Sequence, residues 1–305
     1  MDEMNIICAS NDGYAFGYEV MLKSLSAHIR NRKIRVYYFF SELSEQVMAE
    51  MKKECETENL SIEFVKLDAE SLRGIPEIRY ISKEASVRLL LHKFLPESVE
   101  RALWLDGDII VNGDLTEFYD QDMQDYAFAA CKENSDENWI PEYVYEIGFP
   151  KGRAYCNSGV LLINLLRQRA CVDETLLMKF FEDNAAVTMY PDQDALNILY
   201  QNELKVIDNK RYNKELLHLS RKAGDIGDSV ILHFIGAEKP WHKGYHGIGF
   251  RQFWKYARKL EKGKKQYPMA LIRCIRIRVS HDLWSLLYRC VPCRLWNFGK
   301  RVFTR

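Results

Sequence analysis

Ala102-Leu103-Trp104-Leu105-Asp106-Gly107-Asp108-Ile109-Ile110-Val111 sets two carboxylates two residues apart between two apolar runs. Four apolar residues closed by a polar turn read as a fully buried strand. The C-terminal end of such a strand is where open α/β sheets hold their ligands. Two ionised carboxylates there repel each other unless a cation lies between them or water screens them. A divalent ion that also touches the phosphates of a nucleotide satisfies both; a solvated turn is the competing reading. Gly107 lets a ligand approach the backbone closely. The same spacing recurs at Asp120/Asp122 and Asp192/Asp194, so it is the strand ahead of Asp106 that singles out the first pair.

Towards the N-terminus the pattern alternates. An apolar run from Asn5 to Ala9 ends in Ser10-Asn11-Asp12-Gly13, and a helical pattern follows through Val20, Met21, Leu25 and His28. Residues 34–40 read as a second buried strand, 45–55 as a helix with Val47, Met48, Met51 and Cys55 inward, and 62–65 as a third strand. This alternation predicts a parallel sheet covered on both faces. Ser82 is expected to N-cap a helix carrying Ala85, Leu89 and Phe94. Further strands are expected at 127–131, 159–163 and 230–234, and helices near 175–181 and 193–200. Residues 133–153 and 209–228 have the length of lids or acceptor-binding loops. The fold class is therefore α/β, with a Rossmann-like, mostly parallel sheet flanked by helices over residues 1–256 and a basic helical tail over 257–305.

Other motifs stand at other ends of these elements. His233-Phe234-Ile235-Gly236-Ala237-Glu238-Lys239-Pro240-Trp241-His242 follows the strand through Ile231, so His233 can complete an ion's shell or can be a satisfied core histidine. Carboxylates with one imidazole favour Mn2+ over Mg2+, which prefers oxygen and keeps its waters. Lys239 offers a cation to a β-phosphate and Gly236 a backbone N–H; a plain surface charge is the other reading of Lys239. Asn157, ahead of Ser158-Gly159, offers an amide to a sugar hydroxyl or caps a turn. Asp192-Gln193-Asp194 opens a helix, where carboxylates gain from the dipole with or without a ligand. At the first turn, beside Ala9, Asn11 carries the donor and acceptor that match the N3–H and O4 edge of uracil. Tyr14 offers a ring to stack on the base; an ordinary turn explains both residues equally.

Composition narrows the partners. With 43 basic and 43 acidic residues the whole chain does not read as a nucleic-acid binder. Residues 257–305 nonetheless hold 13 Lys or Arg against Glu261 and Asp282. They interleave Leu271, Ile272, Ile275, Ile277, Val279, Leu283, Trp284, Leu286, Leu287, Trp296 and Phe298, the composition of an interfacial helix on an anionic membrane. A helical cap on the acidic catalytic domain is the alternative. The eight cysteines are scattered and Asp2 and Glu3 precede the first apolar run. These features lead us to expect reduced thiols and a cytoplasmic protein, peripheral on the inner face of the cell membrane where the tail docks. Cys290 and Cys293 form a lone C-x-x-C, expected to be two partly buried thiols rather than a zinc site. No apolar run approaches the ~18 residues of a spanning helix.

Six stretches come in one order: Asn11-Asp12-Gly13-Tyr14, Ser86-Val87-Arg88-Leu89, Leu105-Asp106-Gly107-Asp108, Asn157 to Asn164, Asp192-Gln193-Asp194, and His233 to His242. Together they resemble glycosyltransferase family 8, which includes lipopolysaccharide galactosyl- and glucosyltransferases and glycogenin. The resemblance implies a GT-A fold and retaining transfer of a hexose from UDP-galactose or UDP-glucose to a glycan or lipid-linked glycan acceptor. It implies Mn2+, with Mg2+ as the substitute, on Asp106, Asp108 and His233. Arg88, Asn157, Asp192 and Gln193 would face the donor sugar, and Gly236 and Lys239 would hold the diphosphate. Ala9, Asn11, Tyr14 and Gly107 complete the expected donor site, with Gln193 and Asp192 as the catalytic candidates. Bacterial members often carry Asp where Asn11 stands, whereas glycogenin-like members look similar to this chain. A sugar-1-phosphate nucleotidylyltransferase would want a G-x-G after the first strand, which is absent here. A non-catalytic nucleotide-sugar-binding or scaffolding protein would not need the two acids and the histidine.

Overall fold

The computed structural model describes residues 3–70, 72–75, 83–133, 140–207, 209–216, 226–243 and 245–290, with 209, 210 and 279–290 as backbone only. Its first third alternates as the sequence pattern demands: β1 (Glu3–Ala9), α1 (Asp12–His28), β2 (Lys33–Phe40), α2 (Glu45–Cys55) and β3 (Leu60–Lys66). β2 pairs in parallel with both β1 and β3. Successive strand residues point to opposite faces. Met4, Ile6 and Cys8 accordingly join one apolar core with residues of α1 and α2, while Ile7 and Ala9 join another. α1 begins where Asn11 Oδ1 accepts the Gly13 N–H at 3.0 Å, an N-cap that fixes the turn after β1.

The middle of the chain holds α3 (Lys83–Ser86), β4 (Arg101–Leu105), β5 (Ile109–Val111), α4 (Thr116–Tyr119), β6 (Phe128–Lys132), α5 (Tyr143–Glu146) and β7 (Cys156–Asn164). The helix expected through Ala85, Leu89 and Phe94 is broken. α3 stops at Ser86, and two 3₁₀ turns follow at Val87–Leu89 and Leu91–Lys93. The cause is local, because Arg88 Nε donates to the Ala85 carbonyl at 2.7 Å, the acceptor that Leu89 N would use in an α-helix. Leu90 N instead reaches back three residues to Val87, the 3₁₀ pattern. Ser82 lies outside the described residues.

After β7 come α6 (Leu165–Cys171), α7 (Glu174–Asn184), α8 (Pro191–Leu199) and β8 (Leu204–Ile207). The large sheet has the order β3-β2-β1-β4-β7-β6-β8. It is mostly parallel: β7 runs against both β4 and β6, and the other pairs are parallel. α9 (Asn209–Tyr212), β9 (Lys214–Glu215) and β10 (Ile231–His233) follow. The strand expected at 230–234 is β10, and it lies outside the large sheet, in a three-stranded sheet of order β5-β10-β9.

The chain passes from the large sheet to the small one at Asp106-Gly107-Asp108. Asp106 N donates to Gly159 O of β7 at 2.9 Å, and Asp108 O accepts from Phe234 N, just past β10, at 2.8 Å. Gly107 lies beneath the Tyr18 ring of α1, where a Cβ would sit 2.6 Å from the ring. Its missing side chain thus admits helix packing at the crossing.

The C-terminal part holds α10 (Phe250–Ala257), which spans the boundary expected at 256/257, and α11 (Glu261–Cys290). Leu260 and, on α11, Tyr267, Ala270, Leu271 and Cys274 pack against the first core. Met269, Ile272 and Ile275 of the same helix are exposed. Among the described residues no helix is long and apolar enough to cross a membrane. The six cysteines with described side chains are free thiols; Cys293 and the Cys290 side chain lie outside the description.

Glu19 is a buried carboxyl on α1. Burial, opposed by Lys262 and assisted by Glu50 and Glu54, pushes it up to about 7 from its ordinary 4.5, with Lys23 opposing weakly. The folded chain therefore holds this proton more tightly than the unfolded chain, and stability falls as pH rises from about 4.5 to about 7. Glu19→Gln is expected to raise stability by roughly 3 kcal/mol at pH 8 and to change little at pH 4. Chemical denaturation at the two pH values measures this, and an equal effect at both would refute it.

Candidate active site

Arg88 stands at the centre of the site and is 3% exposed. Its guanidinium lies 4.4 Å over the Trp104 ring of β4, pairs with Asp106 at 3.3 Å and Asp192 at 3.1 Å, and donates to the Ser158 carbonyl at 2.6 Å. Burial opposes its charge, but Asp106 and Asp192 outweigh that and raise its pKa. Trp104 Nε1 donates to Asp106 at 2.7 Å. One buried cation thus joins the strand end, the Asp106 turn, β7 and the first turn of α8.

The metal candidates converge. Asp106, Asp108 and His233 each offer one ligand atom, and the three atoms lie within 4.8 Å of one another. Two hard oxygens and one imidazole nitrogen at this spacing fit a divalent cation. Gly159 is the reason they can close up: a Cβ there would lie 2.5 Å from the His233 ring and 2.6 Å from the Asp106 carboxylate. Asp108 already has a counter-charge. Lys239 Nζ sits 2.5 Å from its Oδ2 and 2.8 Å from the Phe234 carbonyl, and His233 Nε2 lies 3.2 Å from its Oδ1. Burial works against the Asp108 charge, yet Lys239 and then His233 prevail and hold its carboxyl below the usual range. Lys239 is a buried partner of the acid pair and not a surface charge.

The polar side chains of β7 and α8 form the adjoining wall. Pro191 starts α8, so Asp192 and Gln193 fall in its first turn and face β7. Asp192 accepts from Ser158 Oγ at 2.9 Å, and Gln193 Oε1 accepts from Ser158 N at 3.0 Å and from Asn157 Nδ2 at 3.3 Å. Asp194 turns away, and its carboxylate is held by the hydroxyls of Tyr155, Tyr143 and Thr188. Burial raises its pKa, with those three donors opposing.

The nucleotide-end candidates are more dispersed. Asn11 lines a cleft of about 650 Å³ with Asp12, Gly13, Phe40, Leu43 and Lys66 at the C-terminal ends of β1, β2 and β3. Its amide oxygen serves the cap of α1. The Ala9 backbone N–H donates to the Tyr18 hydroxyl at 3.3 Å, and the Ala9 carbonyl accepts from it at 3.0 Å. Tyr14 meets Trp241 edge to face at 5.9 Å. Gly236 adopts the left-handed φ of 86°, open to glycine without strain.

Sequence reading missed two groups. Glu133, one residue past β6, accepts from Gln193 Nε2, and burial raises its pKa despite that donor. A carboxyl at the end of a buried strand was the available signal. Asn213 lies in the stretch read as a loop, yet it is 2% exposed and touches His233 Nδ1 at 2.9 Å. An isolated Asn after an irregular segment carries no signal of that role.

Gly159→Ala is expected to destabilise the fold by about 1–3 kcal/mol through overpacking. Because the collision is with Asp106 and His233, we also expect activity to fall further than stability alone explains. Thermal melts beside turnover at a temperature where the variant remains folded test this; unchanged turnover would show that β7 can yield.

The model of glycosyl transferase family 8 matches residues 5–244. A lipopolysaccharide 1,2-glucosyltransferase of Escherichia coli is 24% identical over 258 residues, covering 79% of this chain and 74% of the relative. A lipopolysaccharide 1,3-galactosyltransferase of Salmonella typhimurium is 24% identical over 251 residues, with the same coverages. The galactosyltransferase LgtC, solved with donor and acceptor sugar analogues, superposes with a TM-score of 0.71 at 26% identity, covering 85% of this chain and 96% of LgtC. The GT-A sheet with its helical flanks, matched from Asn5 to beyond His233, makes this chain a glycosyltransferase of family 8.

Proposed function

We propose that this glycosyltransferase moves galactose or glucose from a UDP-sugar to a glycan acceptor with retention at the anomeric carbon, and that Asp106, Asp108 and His233 hold a divalent cation, Mn2+ or Mg2+. The carrying observation is the convergence of those three ligand atoms beside a wall of sugar-sized polar contacts from Arg88, Asn157, Asp192 and Gln193. When bound, the ion supplies positive charge against the diphosphate leaving group. Lys239 and the Gly236 backbone add donors at the same end, and Asn11 contributes to the base cleft. The names of the relatives point to a hexose and to cell-surface glycan chemistry.

Retention needs either a covalent sugar or attack on the departing face. Asp192 is engaged by Arg88 and Ser158, and Asp194 by three hydroxyls. Gln193, a poor nucleophile, sits between them with its amide oxygen shared by Asn157 and Ser158. Front-face attack, with Gln193 steadying an oxocarbenium-like sugar, fits these contacts better than a covalent route.

Hydrolysis of a UDP-sugar panel in Mn2+, Mg2+ and EDTA tests the reading without an acceptor. Asp106→Asn and Asp108→Asn are expected to lose roughly 100-fold or more in turnover, and Gln193→Ala to lower kcat more than donor affinity. Full turnover in excess EDTA would sink the metal assignment.

The proposal extends to where the enzyme works. α11 is welded to the core along Tyr267, Ala270 and Cys274. Its opposite side exposes Met269, Ile272 and Ile275 among Lys264, Lys265 and Arg276. Apolar groups beside cations suit the headgroup layer of an anionic inner leaflet, in keeping with a cytoplasmic enzyme and a lipid-linked acceptor. Replacing Met269, Ile272 and Ile275 by Ser spares the packed side and is expected to abolish most co-sedimentation with anionic vesicles at physiological salt. Undiminished binding by this triple variant would rule out the docking face.

A further inference from the structure

The site contains a chain of side-chain amides whose direction follows from two backbone N–H groups. Gly159 N lies 3.0 Å from one terminal atom of Asn157, and Ser158 N lies 3.0 Å from one terminal atom of Gln193. A backbone N–H only donates, so both atoms are carbonyl oxygens. The remaining contacts then have one polarity each. Asn157 donates through Nδ2 to Gln193 Oε1 at 3.3 Å, and Gln193 donates through Nε2 to Glu133. Asn213 donates through Nδ2 to Asn157 Oδ1 at 3.0 Å, which turns its own carbonyl oxygen towards His233 Nδ1 at 2.9 Å. His233 Nδ1 must therefore carry a proton, so Nε2, which lies 3.2 Å from Asp108, is the nitrogen left to take a cation.

Backbone pairing holds Asn213 in place. β9 runs parallel to β10 with Glu215 opposite His233, and Leu216 N donates to His233 O at 2.7 Å. Asn213, immediately before β9, is thereby fixed alongside the imidazole.

We propose that Asn213 is a positioning residue joining the cation site to the donor-sugar wall. Through one face it fixes the His233 tautomer that leaves Nε2 as a ligand; through the other it orients Asn157 and hence Gln193. The two sites are thus set by one directional hydrogen-bond chain from His233 to Glu133. This inference rests on the reading that Asp106, Asp108 and His233 take a divalent ion.

Two substitutions separate the faces of Asn213. Asn213→Leu removes both, and Mn2+ affinity, followed by the EPR signal of free Mn2+, is expected to fall about 10–100-fold. Asn213→Asp can still accept from Nδ1–H but cannot donate to Asn157. It is expected to keep Mn2+ affinity within about threefold while kcat for UDP-sugar hydrolysis falls about tenfold or more, the relay to Asn157 being broken. Equal losses of Mn2+ affinity in the two variants, or none in Asn213→Leu, would overturn the proposal. A metal-independent readout is the hydrogen-bonded Nδ1 proton of His233, seen by NMR in ring-15N-histidine protein and assigned with His233→Ala. It is expected in the wild type and absent from Asn213→Leu. Its presence in a wild type that binds no Mn2+ would discard the metal reading and retain the relay; its absence from the wild type would discard the relay.

Discussion

The site depends on one buried charge. Arg88 is surrounded by the Trp104 face, two carboxylates and a main-chain carbonyl, and a guanidinium placed so deeply persists only when such partners are all present. Its geometry in turn dictates the irregular backbone on its own side, since its Nε claims the Ala85 carbonyl. A lysine could not stack on the indole and span both acids at once. The segment from α3 to the 3₁₀ turns is accordingly shaped by the active site as much as by its own helical preference.

Charge in the site is balanced by position. Arg88 answers Asp106 and Asp192, whereas Lys239 and His233 answer Asp108. The two aspartates of the Asp106-Gly107-Asp108 turn therefore have different cationic side chains in direct contact although one residue separates them. Lys239 keeps Asp108 ionised by an ion pair within the protein.

Most strands were legible because burial on both faces leaves near-continuous apolar runs, as in Ile34 to Phe40 and Gly159 to Ile163. The first turn of α8 was legible from Pro191 followed by acids. The small sheet was not, because β5 and β9 are only three and two residues long and β10 reaches β5 across more than a hundred residues of chain. His233, Asp106 and Asp108 could be named from their strand ends, as Glu133 could have been, but Asn213 acquires meaning only when pairing brings it beside His233. In α11 the interfacial composition was legible, Ile272 and Ile275 included, but not which side packs, because apolar residues occupy two sides of the helix.

The crossing at Gly107 also divides the candidate residues between two sheets. Asp106, Arg88, Asn157 and Gln193 stand on or against the seven-stranded sheet, whereas Asp108, His233 and Lys239 are tied to the three-stranded one through Phe234 and β10. The Asn213 to Asn157 hydrogen bond already ties the two across the seam. Any ligand that grips both halves acts as a rivet across that seam. Its stabilisation of the folded chain grows as the logarithm of its concentration over Kd, so resistance to unfolding keeps rising after the site is full.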